Sequence, residues 1–149
     1  MARSFFLLAH DEDHIQAILQ GLSDAAISAH VGNAPVFLIV PASALYFSSP
    51  TLYMTYYQEA AGKFPKAKVN LVADCGNDAG LALKAMEAEF KLVALQGDHQ
   101  LINNASDVAL MHKAKILTKM PAAFDPAKHE DFHAAIATYL SGDGGEVPA

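Results

Sequence analysis

A single cysteine, Cys75, lies in ADCGNDAG (73–80), behind an apolar run and ahead of a segment with helical spacing. At such a junction a helix N-terminus lowers a thiol pKa and favours the thiolate. With a histidine as base, that thiolate would serve as a nucleophile or a sulfur carrier. His10 and His99 follow two other apolar runs, so Cys75, His10 and His99 form the candidate catalytic set. The competing reading of a lone cysteine is a small buried apolar residue. Asp11, Ser43, Asp74, Gly76, Asn77, Asp98 and Lys119 occupy equivalent junctions and are the candidate ligand contacts. Gly76 and Gly80 fit neither G-x-G-x-x-G nor the Walker pattern. Their plainer use is a tight turn and close helix–strand packing.

Two further motifs suggest metals. HEDFH (129–133) fits H-E-x-x-H, in which two histidines one helical turn apart hold zinc and the glutamate activates water. The spacing puts His129 and His133 on one side of a helix running from Asp125 to about Leu140. Asp131 places a charge between them, only Asp143 and Glu146 follow as a third ligand, and a helix body is not where an open sheet builds its site. A polar helix flank is therefore expected, not a protease. HDEDH (10–14) could hold a divalent cation, but its acids also suit the positive end of a helix. No metal ligand is assigned, and no motif names a cofactor.

The elements behind these residues alternate. Apolar runs stand at 4–9, 36–40, 68–73, 91–95 and 115–118, continuous as in parallel strands covered on both faces. Between them run helical spacings. One spans 12–31 through Ile15, Ile18, Leu19, Leu22 and Ala26, and Gly32 can close it. A second opens on Ser49 and Pro50 and stops near Gly62. A third starts at Asn77 or Asp78, a fourth at Asp98 and a fifth at Asp125. The expected fold is α/β: a single domain over 1–142, with a doubly wound open parallel sheet of about five strands and helices on both faces, flavodoxin-like or Rossmann-like. Residues 143–149 read as a flexible tail. In such a sheet ligands bind beyond the carboxyl ends of the strands.

Two resemblances follow from that outline. The acids of HDEDH, Asp74 after the third strand and Lys119 after the fifth are similar in placement to the acidic and lysine residues of receiver domains. The chain departs from that family at LQGD, where a threonine or serine is usual, and in the short loop after Asp74. Receiver chemistry is therefore not expected. Cys75 in VADCGNDAG resembles in placement the cysteine of small DsrE-like sulfur-relay proteins, which implies a sulfur-carrying role; the rest of the chain adds no specific match.

Composition bounds the rest. The chain has 149 residues, 52% hydrophobic and 17% charged, with a formal net charge of −6 and Arg3 as its only arginine. Nucleic-acid binding, which rests on neutralising phosphates, is not expected. No run reaches the ~18 apolar residues of a membrane helix. One cysteine excludes an intrachain disulfide, and a cytoplasmic location is the default. So much apolar surface on a small chain suggests a homo-oligomer. Four of the five tyrosines fall within 45–64, where Tyr53, Tyr56, Tyr57 and Ala60 share a helical face suited to an interface or a pocket wall. The leading expectation is a small ligand, with an anion among the candidates, bound at the strand ends. A Cys75-dependent enzyme or sulfur relay and a non-catalytic interaction subunit are the alternatives.

Overall fold

The computed structural model describes residues 3–144. Five parallel strands form one open sheet: β1 (Phe5–Leu8), β2 (Val36–Val40), β3 (Asn70–Asp74), β4 (Leu92–Ala94) and β5 (Lys115–Leu117). Helices alternate with them: α1 (Glu12–Ser23), α2 (Ala25–Val31), α3 (Ala42–Phe47), α4 (Pro50–Lys63), α5 (Ala79–Glu87), α6 (His99–Met111) and α7 (Phe132–Leu140). This is the expected open-sheet α/β architecture. No helix among the described residues is long and apolar enough to cross a membrane.

The winding departs from the expected one. The strand order is β1-β2-β3-β4-β5, so each crossover steps one place in the same direction. Right-handed crossovers then set every helix on one face. The packing agrees: α7 lies on α1, α1 on α4, α4 on α5 and α5 on α6, in one row. All seven helices pack into the core built on Phe5, Leu7, Leu38, Val40, Ala73, Val93 and Leu95. The alternate residues of the same strands, Phe6, Ile39, Val72 and Ala94, form a second cluster with no helical member. Helices on both faces are therefore not what forms. A sheet wound in one direction also has no reversal point, and so lacks the crevice that such a point opens.

What covers part of the second face is the segment after β5. It brings Met120 and Ala123 onto the second cluster and reaches β1 at the far edge. There Phe124 N–H donates to Phe6 O (2.7 Å), and Leu8 N–H donates to Phe124 O (2.8 Å). Phe6 N–H donates to the Tyr139 hydroxyl at 2.9 Å. These bonds occupy backbone groups that an edge strand would otherwise expose.

Three boundaries differ from expectation, two of them through an aspartate cap. The helix expected over 12–31 breaks at Asp24, whose carboxylate caps Ala26 and Ile27 N–H. Ile27 and Val31 are then buried, and Ala26 is exposed. The helix expected from Asp125 to Leu140 is a 3₁₀ turn (Pro126–Lys128), an interruption and then α7, capped afresh by Asp131. Of the tail expected to be flexible, Gly144 has φ +78°, and a Cβ there would meet Ser4 O at 2.3 Å, so it lies tight against β1. Residues 145–149 lie outside those described.

Candidate functional site

The strand order decides which candidates meet. His10 follows β1, Cys75 follows β3 and His99 opens α6 after β4. At ~4.8 Å per strand, Cys75 stands about 10 Å across the sheet from the β1 end, and His99 about 14 Å. The expected catalytic set is not brought together.

Cys75 is 1% exposed. Burial, reinforced by the charges of Asp74 and Asp78, pushes its thiol up to about 12. That is the behaviour of a packed thiol and not of an activated one. The turn around it is closed internally. Asp74 accepts the Gly76 N–H at 3.1 Å. Cys75 N–H donates to Ala94 O and Gln96 N–H to Gly76 O, which ties the turn to the end of β4. Gly76 has φ +58° with open space beside it, so the backbone angle selects glycine here.

Aspartate side chains cap five helix or 3₁₀ N-termini at the strand carboxyl ends, Asp11, Asp78, Asp98, Asp125 and Asp131, while α3 opens after Pro41 with no side-chain cap. Each carboxylate takes the N–H groups that an incoming phosphate would use. Asp78 additionally accepts the Tyr46 hydroxyl, which with the Leu81 N–H holds its carboxyl below the ordinary range. Asp98 serves as the cap of α6, while Ser43, Asn77 and His99 are exposed. Lys119 lies beside Phe37 and Val72 on the helix-free face and does not join the rim.

One group does assemble. His10 Nε2 meets Asp125 Oδ1 at 2.8 Å. The His10 backbone N–H donates to His14 Nδ1 (3.1 Å), and its carbonyl accepts the Tyr53 hydroxyl (2.6 Å). His14 packs edge-on against both His10 and Phe132. Burial depresses the His14 pKa, consistent with a neutral ring accepting at Nδ1. Burial also raises the Tyr53 hydroxyl and keeps it a donor. Burial alone would raise the Asp125 carboxyl. Hydrogen bonds from His10 and Ala127 N–H outweigh that and bring it below its ordinary value. Toward an ionised Asp125 carboxylate, His10 Nε2 is the donor of this bond.

Beside this group opens a cavity of about 300 Å³ lined by His10, Asp11, Glu12, Asp13, Phe47, Ser48, Tyr53 and Tyr56. Three acidic and three aromatic residues thus line one small space, with Asp11 also capping His14 N–H and Glu12 accepting from Gln16. Phe47 is 90% exposed at its mouth. Sequence reasoning found His10 and Asp11, and it marked the tyrosines as suited to an interface or a pocket wall. It missed Asp125, which it read only as a helix cap, and it placed Phe47 in the aromatic segment without expecting the short helix α3 that carries it.

HEDFH does not form its motif. His129 lies in the extended interruption before α7, stacked on Phe124, and His133 lies within α7, stacked on Phe132. They are not one helical turn apart, so the two-histidine geometry of a zinc protease is absent. No family model and no curated protein matches this chain.

Proposed function

We propose that this chain is a small-molecule-binding α/β domain, and that its site is the cavity beside His10 and Asp125. The ligand class is a small organic cation carrying a hydrogen-bond donor, a different class from the anion considered from the sequence. The observation that carries this is the lining itself: Asp11, Glu12 and Asp13 line the same space as Phe47, Tyr53 and Tyr56. Carboxylates and ring faces both attract a cation, and the gain grows as water is excluded. The His10 ring lines the same cavity and offers a polar partner for the ligand's donor. The net charge of −6 favours approach of a cation. First-turn acids also complement a helix dipole, but that does not account for aromatic rings around them. Calorimetric titration with choline, which carries both a quaternary ammonium and a hydroxyl, is the test. Saturable binding that weakens in Asp13→Asn and in Tyr56→Ala supports the reading. Binding of inorganic phosphate with no response to choline refutes it.

A second reading concerns self-association. Leu110 and Met111 are 76% and 81% exposed at the end of α6, and Leu83 on α5 is 42% exposed. The adjacent exposed pair Leu110 and Met111 is the candidate association surface. A second copy of the chain is the proposed partner, and the proposed setting is cytoplasmic, where the free, buried Cys75 stays reduced.

A further inference from the structure

The helix-free face of the sheet is apolar where a water-facing sheet would be polar. Phe6 stacks on Phe37 with ring centroids 5.1 Å apart, and the register continues the face through Leu8, Ile39, Val72 and Leu92. The segment returning from β5 covers only part of it. Between that segment and the strands lies a cavity of about 260 Å³, whose walls include Phe6, Phe37, Val72, Leu117 and Met120. Its one charged lining residue is Lys119. Lys119 is exposed and makes no ion pair or hydrogen bond among the described residues.

We infer that this cavity is a second binding site, separate from the rim, for a small amphiphilic carboxylate. The apolar body lies on Phe6, Phe37 and Val72, and the carboxylate meets the Lys119 ammonium. The size is slightly below the ~300–1,000 Å³ of clefts that hold drug-sized ligands, which suits a medium-length chain or a single substituted ring. Burying the apolar body supplies the driving force, and the single cation fixes orientation and head-group sign. The rim has the opposite character, acidic and aromatic, so the two sites do not compete.

The test uses octanoate and octanol as probes, followed by NMR of the Phe37 ring and Met120 methyl signals. Octanoate is expected to move both sets saturably. Lys119→Ala replaces an exposed side chain and leaves the fold intact. It should weaken octanoate by about fivefold, an ordinary value for a partly exposed ion pair, and leave octanol unchanged. Met120→Trp, checked for folding by circular dichroism, should block both probes. Equal loss of octanoate and octanol in Lys119→Ala overturns the inference, as does octanoate binding that never touches the Phe37 or Met120 signals. Sedimentation of a dimer that Phe37→Asp dissociates also overturns it, because a second copy would then cover the face.

Discussion

Alkali should destabilise this protein through Cys75 by an amount that can be worked out. An ordinary thiol titrates near 9, while the buried one is pushed up to about 12. Between those values the unfolded chain loses the thiol proton and the folded chain keeps it. Ionisation therefore favours the unfolded state, and the stabilisation present below pH 9 fades as pH climbs towards 12. At pH 10 an unfolded thiol is about ten-elevenths ionised and the folded one almost neutral, which corresponds to about 1.4 kcal/mol lost relative to pH 8. Tyrosines and lysines also titrate in this range, so a difference between proteins is needed. Urea unfolding of the native chain and of Cys75→Ala, each at pH 8 and pH 10, supplies it. The native chain should lose about 1.4 kcal/mol more than the variant. Equal losses would mean that the thiol titrates alike folded and unfolded, and the packed-thiol account would fail. Iodoacetamide gives an independent check, since native Cys75 should react at pH 8 only through opening of the fold.

Other outcomes follow from single contacts. Tyr53→Phe removes the hydroxyl that donates to His10 O and should cost about 1 kcal/mol in urea unfolding, while choline binding weakens. Gly76→Ala meets no clash, yet it puts an alanine at φ +58°, so a loss of about 1 kcal/mol is expected, with Gly76→Asn losing less. Leu110→Asp combined with Met111→Asp should leave thermal unfolding of the dilute protein nearly unchanged. It should also abolish any concentration-dependent sedimentation of the native chain.

The strands and the main helices were legible because their signals are local. VFLIV and KVNLVA are strand-like runs, and Leu81, Ala82, Ala85 and Met86 repeat at helical spacing and are buried. Lateral strand order has no local signal, so the one-directional winding and the bare second face were not readable. The same gap hid the site. His10 was visible as a residue behind a strand, but its partner Asp125 is 115 positions away and is carried there by the segment crossing the second face. The helix breaks were written in the chain as Asp24 and Asp131. Each was outweighed by apolar spacing that continues across it. HEDFH illustrates the cost, since a pattern counted along the sequence has meaning only if one helix holds both histidines.

The most direct measurement follows the imidazole C–H signals of His10 by NMR while choline, and then inorganic phosphate at matched ionic strength, is added. The account predicts a saturable shift of His10 and of the Tyr56 ring with choline, reduced in Asp13→Asn, and no shift with phosphate. A His10 response to phosphate alone, or no response to either, would contradict it.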